Sequence, residues 1–196
     1  MLKLFITLPI FWALYAQFNS RFVFQATKMN GDIGFYVIKP DQMGMSTSVL
    51  IIIFVPIVDY IIYPFLSKLG LKTPLQKMVI GYIMAALGFG VAGIIEWKIQ
   101  DNFISILWLL PQLFLLAVAE VFVWVSNISF AYTQAPESMR SVMSSISYMA
   151  IAGGSLIIIT VSGSNFLKSQ LLEFLFYSIL MILNTICFIF MSKKYK

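Results

Sequence analysis

About six apolar runs, each roughly the 20 residues a helix needs to cross about 30 Å of hydrocarbon, set the first constraint on this chain. They are Leu4 to Phe24, Ser46 to Leu66, Met78 to Ile95, Ile104 to Ser129, Val142 to Val161 and Leu172 to Met191. Charges gather in short clusters between the runs rather than being spread through them. With 60% hydrophobic and 11% charged residues, the chain cannot give itself the polar coat of a soluble domain of its length. The expected fold class is therefore all-α integral membrane, with about six transmembrane helices.

Residues 1–196 read as a single membrane domain. The longest polar stretch, 25–45, carries Asn30-Gly31, Pro40 and Asp41 and reads as a loop with turns. The other connections are short and favour antiparallel neighbours. With six spans, Lys3, Lys68, Lys72, Lys77, Arg140, Lys193, Lys194 and Lys196 fall on one side, and Arg21, Lys28, Lys39, Lys98 and Lys168 on the other. The positive-inside rule then predicts two cytoplasmic termini, a cytoplasmic tail at 192–196 and an extracellular loop at 25–45. Lys3 ahead of an apolar run also fits a secretory signal peptide, but no small-x-small cleavage site follows, and Gln17, Asn19, Ser20 and Arg21 continue the helix.

Several function classes fall away. There is no histidine and a single cysteine, Cys187, so no intrachain disulfide forms, the usual soft ligands of a metal site are missing, and no cofactor is expected. Cys187 lies within the apolar run Leu180 to Met191 and reads as a buried small hydrophobe. The net charge of +5 belongs largely to the lysines at the chain's end, which topology explains better than nucleic acid does. The chain is not expected to be an enzyme: it has no histidine base, nucleophile elbow, glycine-rich phosphate loop or paired carboxylates.

Two acids sit inside spans, where a charge costs at least about 2.5 to 3.5 kcal/mol on insertion scales. Glu120, in LLAVAEVFVWVSN, reads either as a cavity carboxylate that holds an ammonium or a proton, or as half of an interhelical salt bridge. Asp59 follows Pro56 and precedes Pro64 and is expected to satisfy backbone groups freed where proline interrupts the helix. In the first span Phe11, Trp12 and Tyr15 form an aromatic group, with Trp12 and Tyr15 able to share a face with Asn19. That face suits a ligand cavity, ordinary packing or an interfacial aromatic belt. Pro111 and Gly153-Gly154 suggest bending or close helix contact.

Four strings carry a family resemblance along nearly the whole chain: FWALYAQFNSRFVFQATKMN from Phe11, PDQM from Pro40, VPIVDYIIYP from Val55 and FAYTQAPESMRSV from Phe130. They resemble the proton-coupled oligopeptide transporters of the major facilitator superfamily. The resemblance implies the seventh to twelfth helices, the carboxy-terminal half of that fold, with the short segment Glu96 to Phe103 where animal members carry a large insertion. It further implies symport of di- and tripeptides with protons as the coupling ion, a plasma-membrane location, and a separate amino-terminal six-helix half as partner. By resemblance Glu120 receives the peptide amino terminus and takes part in proton coupling, while Phe11, Trp12 and Tyr15 line the pocket. The family's seventh-helix acid falls on Ala16, and further pocket positions fall on Thr47, Ser147 and Ser155. Coupling is therefore expected to be altered or lost, and the alternative is a non-transporting membrane interaction or regulatory protein derived from the family.

Overall fold

A computed structural model of the chain describes residues 6–68, 70–71, 73–101, 103–162 and 169–194. These residues form six helical rods in sequence. α1 spans 7–27 as an α-helix Thr7–Ala16, a π turn Phe18–Phe22 and a last α turn Val23–Thr27. α2 is Gln42–Lys68, α3 Pro74–Asp101, α4 Ile106–Gln134, α5 Arg140–Ser162 and α6 Gln170–Lys193. Five of them, α2 to α6, are long and apolar enough to cross a membrane as unbroken helices. α1 differs because the chain turns at Gln17 and widens into the π segment that follows.

Local chemistry explains the boundaries. α3 opens with Pro74 at its first position, where a missing N–H is harmless. Thr73 and Gln76 cap that end reciprocally, Gln76 N–H donating to Thr73 Oγ1 at 3.4 Å and Thr73 N–H to Gln76 Oε1 at 3.2 Å. Pro111 also sits in the first turn of its α-helical segment, Leu110–Gln134, so it starts that helix instead of bending it. Pro56 is different. It lies inside the α-helical part of α2, and the π turn Val58–Ile62 follows at once, the kind of local rewinding by which a helix absorbs a lost hydrogen bond.

The loop expected over 25–45 is shorter, because α1 runs to Thr27 and α2 starts at Gln42. What remains is tied down. Asn30 N–H donates to Ile104 O at 2.8 Å and Ile106 N–H to Asn30 O at 2.7 Å, fastening the loop to the entry of α4. Ile38 N–H donates to Gly31 O, and a Cβ on Gly31 would stand 2.3 Å from Ile38 O, so only glycine fits.

α3 and α4 make the centre: 61% of the apolar window of α4 is buried, against 6% for α2. Lipid is as apolar as leucine, so helices associate through close packing and hydrogen bonds more than through burial. Glycines allow that closeness. A Cβ on Gly81 of α3 would lie 3.0 Å from Ala119 O, and one on Gly154 of α5 would lie 2.8 Å from both Pro9 O and Ala13 N of α1. Between the rods, fully buried aromatics interlock edge to face, Phe22 with Phe174 at 5.4 Å and Tyr82 with Phe188 at 4.9 Å. Cys187, expected inside, is exposed; on a membrane helix the apolar outer face is the ordinary place for such a side chain.

Gly154→Leu is expected to destabilise the chain by about 1 to 3 kcal/mol, because its new Cβ meets backbone that cannot give way. Gly153→Ala, whose Cβ would meet nothing nearer than Pro9 Cβ at 3.8 Å, is expected to be neutral. Melting of the two variants in detergent checks the difference.

Candidate functional site

Glu120 is half-buried on α4, and its partner comes from α1: the Tyr15 hydroxyl donates to Glu120 Oε2. No lysine or arginine pairs with Glu120 among the described residues, so the salt-bridge reading does not hold there. A phenol supplies a hydrogen bond but no positive charge. The carboxylate therefore has a neutral protein partner and is open to a cation or a proton from outside the chain.

An aromatic wall surrounds this pair. Trp12 meets Tyr15 edge to face with centroids 5.7 Å apart, and meets Trp124 of α4 at the same distance. Trp124 meets Tyr148 of α5 at 5.4 Å. Phe11 stacks on Tyr15 at 6.1 Å and backs onto Tyr82 of α3 at 5.2 Å, fully buried. The close approach of α5 to α1 at Gly154 holds this three-helix corner together. Trp12 Nε1 is buried there without a hydrogen-bond partner, and an indole N–H in such a place is a donor waiting for an acceptor.

The structure thus gathers Phe11, Trp12, Tyr15 and Glu120. Thr47 on α2 is buried with its Oγ1 unpartnered. Ser147 is also buried, but it donates to Met143 O in its own helix, and Ser155, which is exposed, donates to Ile151 O. None of these three bonds to Glu120, Tyr15 or Trp12. Trp124 and Tyr148 were missed by the sequence reading. Trp124 had a signal, since it lies four residues from Glu120 on the same face; Tyr148 had none, because only the fold brings α5 to that corner. Lys3, Lys72, Lys168 and Lys196, and the side chain of Asn19, lie outside the described residues.

Asp59 is exposed on the π turn of α2. Its carboxylate makes no hydrogen bond to the freed backbone among the described residues, because proline frees a carbonyl oxygen and a carboxylate is itself an acceptor. Nearby, Lys77 of α3 places Nζ 3.6 Å from the centroid of Tyr63, one turn beyond Asp59.

The flanking charges of α1 are not simply topological either. Arg21 pairs with Glu173 of α6 at 2.9 Å, and Lys28 with the buried Glu96 of α3 at 2.7 Å. Lys28 also reaches Gln170 Oε1 at 2.7 Å. Gln112 of α4 donates to Gln25 Oε1 at 3.0 Å, and Gln25 donates in turn to Ala92 O of α3 at 3.0 Å. One end of α1 is thus pinned to α3, α4 and α6 by polar contacts, while the other carries the aromatic corner. A cavity of about 810 Å³ lies elsewhere, between the ends of α3, α4 and α6. Its wall at Phe130 is ten residues, about 15 Å of helix, from Glu120.

Comparison with known proteins agrees with this architecture. The model of the POT family matches residues 1–161. Peptide transporter family 1 of Drosophila melanogaster is 47% identical over 100 residues, which make up 51% of this chain and 14% of the relative. Solute carrier family 15 member 2 of Oryctolagus cuniculus is 48% identical over 101 residues, again 51% and 14%. Among solved structures, that of an auto-inhibited POT family peptide transporter superposes with a TM-score of 0.89 at 25% identity, covering 100% of this chain and 40% of that one. The POT family transporter PepTSo superposes at 0.84 with 24% identity, covering 99% and 41%. The chain thus spans about two fifths of the two solved transporters and matches a much smaller share of the two sequence relatives.

The Tyr15 and Glu120 contact is measurable in isolation. A double-mutant cycle of Tyr15→Phe and Glu120→Gln, read by thermal melting in detergent, is expected to give a coupling of about 0.6 to 1.7 kcal/mol, the range of interhelical hydrogen bonds in membranes. Strictly additive losses are the contrary result.

Proposed function

The chain belongs to the POT family, and from that premise we propose that it forms the carboxy-terminal half of a proton-coupled symporter for di- and tripeptides. The observation that carries the reading is Glu120, a membrane carboxylate whose protein partner is the neutral hydroxyl of Tyr15 within a wall of aromatic side chains. In this reading Glu120 holds the ammonium of a peptide. Protonating Glu120 weakens that hold and favours release, which ties substrate exchange to the proton. Trp12 Nε1 and Thr47 Oγ1, both buried without protein partners, offer hydrogen bonds to the peptide backbone. Phe11, Trp12, Tyr15 and Trp124 form the apolar wall, and Ser147 and Ser155 complete the lining from α5.

A two-sided pathway needs a second wall, and the proposed partner is an amino-terminal six-helix half of the same family. The low burial of α2 and α5, 6% and 22% of their apolar windows, supports a face of this bundle meeting such a partner. The location inferred is the plasma membrane with both termini cytoplasmic, supported by the bias of lysines and arginines toward that side. Ala16, beside Tyr15, carries no titratable group, so in this corner of the bundle the proton is assigned to Glu120.

Co-expression with an amino-terminal half from the family, followed by labelled dipeptide uptake, tests the proposal. Uptake is expected only when both halves are present. Glu120→Gln is expected to weaken apparent peptide affinity by about thirtyfold or more, the effect of removing one partner of a desolvated charge pair. Ala16→Asp is expected to make uptake depend more steeply on pH. No uptake with any such partner, although the chain inserts stably, supports the alternative of a membrane interaction or regulatory role.

A further inference from the structure

The cavity of about 810 Å³ lies outside the Glu120 corner, and none of the residues discussed for transport lines it. Its size is within the roughly 300 to 1,000 Å³ of small-molecule sites. Three helices line it with the same gradient. On α3 the lining passes from Gln76, in the first turn, to Val79 and Ile80, a turn deeper in the helix. On α4 it passes from Thr133, near the end, back to Phe130, and on α6 from Lys193, the last helical residue, back to Ile189. Each helix thus offers a polar or charged side chain at its end and an apolar one about 5 Å farther in. Among the described residues lining the cavity there is no acidic side chain, and Lys193 carries the positive charge.

That arrangement matches one ligand chemistry: an anionic head at the membrane surface joined to a hydrocarbon chain that runs inward. We propose that this cavity is a binding site for an anionic phospholipid, with the phosphate at Lys193 and the side-chain amide N–H of Gln76 and the start of an acyl chain against Val79, Ile80, Phe130 and Ile189. The positive N-terminal end of α3, at Pro74, lies in the same rim and adds to the attraction for phosphate. The site opens on the side that carries most of the lysines and arginines in the connections. That is the side expected to face the leaflet rich in anionic lipid.

Photocrosslinking tests the proposal. Membranes carrying the full chain are loaded with diazirine-labelled phosphatidylglycerol or diazirine-labelled phosphatidylcholine, and the labelled peptides are mapped. Phosphatidylglycerol is expected to label the segments 71–80, 130–134 and 189–193 in preference to phosphatidylcholine. Lys193→Gln is expected to cut that preference about fivefold, the factor for one lysine beside an anionic surface. Lys193→Arg is expected to keep it, and Lys98→Gln, on the far side, to leave it unchanged. Val79→Trp, which fills the apolar floor, is expected to reduce labelling by both lipids, and melting in detergent shows whether that variant is folded. Equal labelling by the two lipids in the parent chain, indifferent to Lys193→Gln, overturns the proposal in favour of ordinary surrounding lipid. Displacement of the label by inorganic phosphate alone also overturns it, since the hydrocarbon would then contribute nothing.

Discussion

Hydrocarbon offers no hydrogen bonds, and that constraint governs this bundle. Every backbone group in the span must be satisfied within its helix, and each polar side chain drawn inside must find a partner or a functional reason to lack one. Several are partnered across helices: Gln25 with Gln112 and Ala92 O, Ser178 with Ala86 O, and Asn184 with Thr7 O. Against that background the exceptions stand out. Trp12 Nε1, Thr47 Oγ1 and Asn127 Nδ2 are among the buried polar atoms left unpartnered, and among the described residues the hydrogen-bond partner of Glu120 is a phenol.

The same constraint accounts for the irregular backbone. α1 and α2 each contain a π turn, at Phe18–Phe22 and Val58–Ile62, and both are peripheral to the tight pair of α3 and α4. In α2 the cause is Pro56. In α1 the turn at Gln17 and the π segment after it separate two differently anchored stretches. One is wedged against Gly154 of α5 and bonded to Glu120; the other is held by Arg21 to Glu173 and by Lys28 to Glu96. In each pair a buried carboxylate meets a cation that still reaches solvent, so removing the cation leaves a buried charge without its partner, and the pairs fix where the polar end of α1 sits.

Much of this was legible in the chain. Span length and charge clustering show in hydropathy because they answer to bilayer thickness, which is the same for every helix. Glu120 was legible as a mid-span acid, and the aromatic group from its spacing on one turn. Other features were not. Pro111 read as a bend and proves to start a helix, since one residue's shift in the boundary reverses the meaning of proline. Cys187 read as buried and is exposed, because an apolar run has no polar face to show which side points outward. Glu96 and Glu173 read as flanking charges, yet each is buried against a cation from a helix far away in sequence.

The sequence by itself determined the class of solvent, the approximate number and ends of the spans, and the family, because these depend on local composition and on strings of adjacent residues. Tertiary structure decided which polar groups meet. Tyr15 and Glu120 are separated by 105 positions, and nothing in either neighbourhood specifies the other. Their contact follows from where α1 can lie, which is set by the missing side chain of Gly154 and by the interlocking aromatics. Packing of that kind depends on the shapes of several helices at once, and that information exists only when they are assembled.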